Sequence, residues 1–528
     1  MIRILVQSTH LKISYEFAVD GEIEISEGII VPAFRAEDTT LKRTYLVRSG
    51  KASAIKSFYI QDHEDPRLSK NLLPSGFLKW LMMYFDEAKL EYEVVDMRKW
   101  PTVDKEFATK LAHSQCAWDG RDGNTYSPRD YQAKSTIKAA KEHGGIIQLP
   151  TGTGKGFIVA LIARMYSKHR VLCMFDQIDL VSQTRDAFIQ KYGFSESEVG
   201  IIQGQNFQDD RRITFMSVAS YEKAFHIFPS QRVIIVDECH ALASGTGGEM
   251  STRVLYACQN APLRIGLSAT ADAIDNPYRQ MALYGNLGPI IYDEHIQDKV
   301  EDGTLADVEV EMHRVAGFII PVTGNWADSY EEVQLKTKAQ KRKAEEIGCD
   351  IVIKEGKEYA RRMTARGDES THYVFNDIRN DLIADLALKH PRVLILYTRR
   401  EHGERLMKKI EKLGGKAKLI GGLDDPKIRE EAKQFLLEAK DHIILASNIF
   451  KKGVDIPWLH TLIIAGAGKG TAMVIQRFGR STRKDKGTDK TTAKVIDFID
   501  SFSKMGARQS ARRMEIYKDK LGFKVNVI

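Results

Sequence analysis

What this chain of 528 residues lacks narrows its options first. No apolar run reaches the roughly 18 residues that a membrane-crossing helix requires, so no membrane span is expected. The opening residues, MIRILVQSTHLKISYEF, alternate as a strand does. They lack the apolar block and small-residue cleavage site of a secretory leader, and a cytoplasmic location follows as the expectation. The five cysteines, Cys116, Cys173, Cys239, Cys258 and Cys349, are scattered and form no CxxC pair. That argues against a zinc site or a disulfide framework and fits a reducing compartment. There is no internal repeat at solenoid periods and no low-complexity tract.

What is present is the composition of an ordinary globular chain, at a length that suggests about three domains. A net charge of +7 favours a polyanionic partner, because basic surfaces attract phosphate backbones at long range. From residue 144 onward, the runs GGIIQL, RVLCMF, RITFMSV, RVIIVDE and RIGLSAT alternate with helix-length segments. Short runs of this kind, rich in Val and Ile, read as buried parallel strands of an α/β domain. A second series, PRVLILYT, AKLIGG, HIILAS, HTLIIAGA and AKVIDFID, repeats the rhythm between residues 391 and 499, predicting a second α/β lobe. Between them, residues 324 to 370 are dense in Lys, Arg and Glu and are expected to form a helical insertion. The first hundred residues, with strand-like alternation followed by SGFLKWLMMYFDEAKLEYEVVDM, predict a small separate α+β domain.

Two stretches carry chemistry. In LPTGTGKG, Gly152 and Gly154 let backbone amides curl around phosphate oxygens, and Lys155 brings a point charge to the outer phosphates at a helix N-terminus. Gly156 departs from the pattern GxxxxGK[ST], which has a hydroxyl for magnesium there. In RVIIVDECHAL, a buried strand ends in Asp237 and Glu238. A carboxylate so placed can hold magnesium, and its neighbour can orient or deprotonate an attacking water. Strand, loop and helix, then strand, Asp and Glu, together read as a nucleoside triphosphate site.

With PTGTGKG, DECH, LSAT and QRFGRSTR in that order, the chain resembles the superfamily 2 helicases and translocases over residues 124 to 500. More narrowly, the N-terminal domain ahead of two lobes and the tail ARRMEIYKDKLGF resemble the bacteriophage UvsW type of branched-DNA helicase. The resemblance implies an α/β fold of two RecA-like lobes in tandem with a small α+β domain. Its segments are residues 1–98 as a nucleic-acid-binding accessory domain, 99–123 as linker, 124–315 as the first lobe, 316–375 as the charged insertion and 376–528 as the second lobe. ATP and magnesium are the implied cofactors, with Asp237 the magnesium ligand. Pro150, Thr151, Gly152, Thr153, Gly154, Lys155 and Gly156 would then cradle the phosphates, and Gln132 of YSPRDYQ would bind the adenine edge with Arg129 or Tyr126 stacking on its face. Ser268 and Thr270 would couple hydrolysis to lobe movement.

The same resemblance places Gly453 and Asp455 of SNIFKKGVDIP at the lobe interface, and Gln476, Arg480 and Arg483 at the γ-phosphate as the second lobe's contribution. It assigns nucleic-acid contacts to Gln183, Ser217, Thr398, Arg399 and Lys451, although Asp176 and Gln177 stand where the family has Pro-Thr. In the N-terminal domain, Lys42, Arg43, Arg48, Lys51 and Lys56 interleave with Tyr45 and Tyr59 as a phosphate-and-stacking surface, or equally as an ordinary exposed sheet face. The expected activity is ATP-driven unwinding or translocation on branched DNA in replication, recombination or repair, in the cytosol of a bacterial host if the source is viral. Two rivals stay open: a translocase subunit of a restriction complex, and an ATP-gated clamp that barely hydrolyses.

Overall fold

The five apolar runs of the first series become neighbours in one sheet. In spatial order its strands are Asn206–Phe207, Val199–Gln203, Ile213–Ser217, Val171–Phe175, Val233–Asp237, Leu263–Ser268, Gly145–Gln148 and Ile290–Asp293. All pairings are parallel except the edge hairpin at residues 199–207. Side chains of a strand alternate between faces. Accordingly Val171, Cys173 and Phe175 join one core cluster, and Leu172 and Met174 join the other. Helices Asp130–Lys141, Lys155–Met165 and Ile178–Gln190 cover the first face, and Gly245–Ala257 and Pro277–Leu287 the second. Burial on both faces is why these strands read as near-continuous apolar runs.

This computed structural model describes residues 1–16, 24–41, 44, 47, 52–60, 71–176, 178–243, 245–274, 276–315, 330–334, 340–341, 350–354, 357–363, 373–421, 426–447, 459–466, 492–501 and 504–528. It divides into two units, Met1–Ile296 and Gln297–Ile528. The first unit also contains a four-stranded sheet, in the order Leu72–Pro74, His10–Tyr15, Ile2–Val6 and Tyr92–Asp96. Helix Leu78–Glu87 drives Leu81 and Phe85, with Phe77 just before it, into a cluster with Ile2, Ile4, Val6, Leu11 and Ile13. Met281 and Tyr284 of the lobe pack against that cluster. The stretch expected to be a linker holds a helix, Lys105–Ala112, N-capped by Asp104, whose Leu111 enters the lobe core.

In the second unit seven strands form one sheet with only parallel pairings: Lys416–Ile420, His442–Ser447, Val393–Tyr397, Thr461–Ile464, Thr492–Ile499, Asp307–Arg314 and Lys524–Val527. Strand Asp307–Arg314 corrects the expected boundary at residue 315, since all eight of its residues pair with Thr492–Ile499. The charged insertion is corrected too. Most of its described residues form a three-stranded antiparallel sheet, Tyr330–Gln334, Lys357–Met363 and Asp350–Lys354, and not a helical arm. Antiparallel pairing of Lys357–Met363 with both neighbours outweighs the helix propensity of their Lys, Arg and Glu.

Candidate functional site

The phosphate-binding turn is built by one strand, one helix and a glutamine. Strand Gly145–Gln148 delivers the chain into residues 149–154, and helix Lys155–Met165 leaves it. Gly152 (φ 92°) and Gly154 (φ 79°) take left-handed backbone, which residues with a Cβ disfavour. A Cβ on Gly154 would also lie 2.7 Å from Gln132 Nε2. Thr153 is buried, and its hydroxyl donates to Pro150 O at 2.7 Å. Its carbonyl accepts from Gln132 Nε2 (2.9 Å) and from the Tyr131 hydroxyl (2.7 Å). Lys155 Nζ donates to Leu149 O at 3.3 Å, on the rim of the turn. Thr151 Oγ1 is buried with no hydrogen-bond partner among the described residues.

Gln132 is buried and already engaged at both ends of its amide, because Oε1 accepts from Arg129 N at 3.0 Å. Here the residue expected at the adenine edge ties the helix N-terminus to the turn. Of the two candidate stacking groups, Tyr126 packs its ring edge-on against Tyr192 (5.9 Å) and donates its hydroxyl to Asp122 Oδ2 at 2.6 Å. Arg129 is exposed, with NH1 3.0 Å from the Tyr131 hydroxyl.

Strand Val233–Asp237 carries the carboxylates. Burial, and then the like charge of Glu238, push the Asp237 carboxyl up to about 7 although the Lys155 charge pulls the other way. Glu238 follows in left-handed backbone (φ 47°), a conformation a side-chain-bearing residue adopts at a cost. Asp237 Oδ1 is buried without a hydrogen bond among the described residues. Glu238 Oε2 lies 3.4 Å from His240 Nδ1, which is in turn 3.0 Å from Ser268 Oγ. Ser268 Oγ also accepts from Thr270 N at 3.0 Å, and Thr270 Oγ1 is a further buried, unpartnered oxygen. Ser268 and Thr270 thus touch the carboxylate strand through a histidine to which the sequence reading gave no role. The signal was present in DECH, two residues past the acidic pair.

Unpartnered buried oxygens beside a lysine-bearing turn fit a divalent cation carried in with phosphates. Magnesium takes one or two carboxylates and otherwise phosphate and water. No cluster of three or more His, Cys, Asp and Glu residues able to cage a metal occurs among the described residues.

The residues assigned to nucleic acid are placed unevenly. Gln183 is exposed on helix Ile178–Gln190, Thr398 is exposed, and Arg399 is half-buried at the N-cap of helix Arg400–Lys412. Asp176 is exposed, and Gln177 lies outside the described residues. Ser217 departs from its expected place: it ends an interior strand, so its hydroxyl is fully buried and does not face solvent. Tyr59, part of the expected stacking surface, is also buried, with its hydroxyl 3.1 Å from that of Tyr15. Lys56 Nζ lies 5.0 Å over the Tyr278 ring. Lys451, Gly453, Asp455, Gln476, Arg480 and Arg483 lie outside the described residues, as do Lys42, Arg43, Tyr45, Arg48 and Lys51.

A glycine-rich turn and strand-end carboxylates on one parallel sheet, with a second parallel sheet in the same chain, define a nucleoside triphosphatase of the tandem RecA-like kind. The comparisons narrow this. Residues 125–273 match the family described as Type III restriction enzyme, res subunit, and residues 377–485 match the helicase conserved C-terminal domain. The ATP-dependent DNA helicase uvsW of Enterobacteria phage T4 is 24% identical over 386 residues, 71% of this chain and 68% of that protein. The DNA 3'-5' translocase XPB2 of Sulfurisphaera tokodaii is 26% identical over 369 residues, 67% of this chain and 78% of that protein. A fragment of a putative HsdR subunit of a type I restriction enzyme from Vibrio vulnificus YJ016 superposes with a TM-score of 0.50 at 18% identity, covering 76% of this chain and 68% of that one. The chain carries two helicase domains of the superfamily 2 kind and is an ATP-dependent enzyme of helicase type. No helix among the described residues is long and apolar enough to cross a membrane.

Proposed function

We propose that the protein is a DNA motor that binds ATP with magnesium on its first lobe and works on branched DNA, regressing forks or migrating junctions. The observation that carries the ATPase half is the buried, unpartnered Asp237 Oδ1 beside the Lys155 turn, which phosphate-bound magnesium would complete. Branched DNA is supported by the likeness to uvsW and by the α+β domain built onto the ATPase lobe.

In this mechanism the amides of residues 151–156 hold the phosphate oxygens and Lys155 neutralises charge on the outer phosphates. Asp237 would hold the magnesium, which when bound would supply electrostatic stabilisation of the transferring phosphoryl group. Glu238, oriented by His240, positions the attacking water and accepts its proton. Ser268 and Thr270 transmit the change, and Gln476, Arg480 and Arg483 complete the γ-phosphate contacts, with Gly453 and Asp455 at the lobe junction. Arg129 is the better-placed stacking group, being exposed where Tyr126 is packed. Gln183, Thr398, Arg399 and Lys451 hold the backbone without reading sequence, as a moving enzyme requires.

Steady-state ATPase with no nucleic acid, single-stranded DNA, forked DNA, four-way junctions and RNA tests this reading. Forks and junctions are expected to stimulate most and to be unwound. Equal stimulation by every DNA would overturn the branched substrate, and preference for RNA would overturn DNA. The match to the restriction res subunit favours one alternative, a translocase working for a separate nuclease, and copurification of a nuclease would establish it.

A further inference from the structure

We propose that the N-terminal domain is a positioning element for the Ser268–Thr270 turn, acting through the hydrogen bond between Asp38 and Asn276. This inference deepens the motor reading and rests on it. Asn276 lies six residues past Thr270 and caps helix Pro277–Leu287, its Oδ1 accepting from Arg279 N at 3.2 Å. The other end of the same amide crosses to the N-terminal domain, with Nδ2 donating to Asp38 Oδ1 at 2.8 Å. Both side chains are buried. Asp38 is itself fixed by donors from the Thr40 amide (3.0 Å) and the Thr40 hydroxyl.

The rest of the helix is gripped as closely. Phe58 stacks on Tyr278 at 4.8 Å and 18°, and Trp80 packs on Tyr284 at 5.4 Å. A Cβ on Gly76 would fall 2.2 Å from Tyr284 O, so the two backbones approach as only glycine permits. From the helix the connection returns to the turn. Gln280 Nε2 donates to Ala271 O at 2.7 Å, and Ala273 N donates to Thr270 O at 3.2 Å. Beyond the turn, Ser268 reaches Glu238 through His240. An unbroken series of described contacts therefore runs from Asp38 to the carboxylate expected to orient water. A shift of the N-terminal domain moves the helix cap, and a moved cap displaces the turn.

The test exchanges the two polar groups in the full-length protein. N276D keeps an oxygen for Arg279 N, since Asp caps as well as Asn, but sets a carboxylate against Asp38. D38N/N276D restores one donor and one acceptor with their places swapped. In N276D the stimulation of ATPase by forked DNA is expected to fall by about five- to tenfold, with unstimulated kcat and the KM for ATP near wild type, and the double variant is expected to recover it. A merely structural contact would lower the thermal midpoint and leave the stimulation ratio alone, and that result overturns the proposal. So does a folded double variant that fails to recover. If N276D does not fold, N276S keeps a capping hydroxyl, loses the reach to Asp38, and carries the same expectation. Wild type without any stimulation by nucleic acid overturns the motor reading itself, whereas a stimulated wild type with an unaltered N276D overturns only this linkage.

Discussion

Each unit places acidic side chains at the C-terminal end of a buried parallel strand, and the two sets live in opposite surroundings. In the second unit, Asp497 accepts from Arg513 through Nε (2.7 Å) and NH2 (3.0 Å), from the Tyr517 hydroxyl (2.6 Å) and from Phe498 N (2.7 Å). Asp500 accepts from Arg379 Nε at 2.9 Å, and all four charged side chains are fully buried. Burial alone would raise the Asp497 carboxyl, but the Arg513 charge and these donors hold it below its ordinary value. In the first unit Asp237 has a like charge beside it and one oxygen unpaired, and it is pushed up. A buried charge with its counter-ion supplied by the chain is architecture, and one left without is a place for a ligand.

That contrast is broken most severely by changing the first set. Lys155→Ala is expected to lower stimulated ATPase by about 10²–10³-fold, since it removes a charge aimed at the transferring phosphate. Asp237→Asn should be similarly inactive, yet nucleotide-free Asp237→Asn should melt at or above the wild-type temperature, because a buried unpaired charge is gone. Asp497→Asn, the same chemical change, should lower the midpoint. Thermal unfolding of both variants without nucleotide checks the signs, and a lowered midpoint in both would erase the distinction. Next in size, Arg513→Ala strands Asp497 and is expected to cost about 3–5 kcal/mol, read by denaturant unfolding.

The first set was legible in the sequence because local geometry creates it: a strand, a turn that requires glycine and a lysine follow one another in the chain. The parallel strands were legible for a similar reason, each being a short apolar run. Strands with alternating faces were not. Asp307–Arg314 buries Val308, Val310 and Met312 but carries charge between them, and it joins a sheet whose partner strand lies far along the chain. Arg513, Arg379 and their aspartates gave no sign of pairing because the contacts span 16 and 121 positions. The union of the N-terminal domain with the lobe was invisible for the same reason: Asp38 and Asn276 are 238 residues apart. Removing residues 1–98 would therefore uncover Tyr278, Met281 and Tyr284 and withdraw support from helix Pro277–Leu287, so it is no clean deletion of a substrate-selecting module.

Asp38 stands between the two sets, buried and anionic but held by neutral donors. Against the burial that disfavours its charge, hydrogen bonds from Thr40 and Asn276 and then the nearby Lys56 ammonium bring its carboxyl from 3.8 down to about 2. A depressed carboxyl binds fewer protons in the folded state, so its stabilisation is complete above about pH 4 and is lost as pH falls toward 2. The stability gap between wild type and Asp38→Ala should narrow across that window. A gap constant from pH 6 to pH 2 would show that the charge contributes nothing.

The smallest expected effect is at Gly156, where the first set lacks not a counter-ion but a ligand oxygen. Gly156 sits in the first turn of helix Lys155–Met165, and a Cβ built there meets nothing within 4 Å, so a Cβ enters without displacing a neighbour. Magnesium normally keeps several waters, and water in place of one neutral ligand leaves the site working. The cost should be about 1–2 kcal/mol, or about ten- to thirtyfold in metal affinity or rate. Glycine early in a helix also costs up to about 1 kcal/mol of helix stability, which either substitution relieves. Only Thr adds oxygen. Gly156→Thr should therefore lower the magnesium concentration for half-maximal ATPase while Gly156→Ala does not, and equal shifts in both would assign the gain to the helix alone. Wild type silent on every DNA and RNA, with Gly156→Thr active, would instead make the natural protein an ATP-gated clamp, its first lobe holding nucleotide without the ligand that turnover needs.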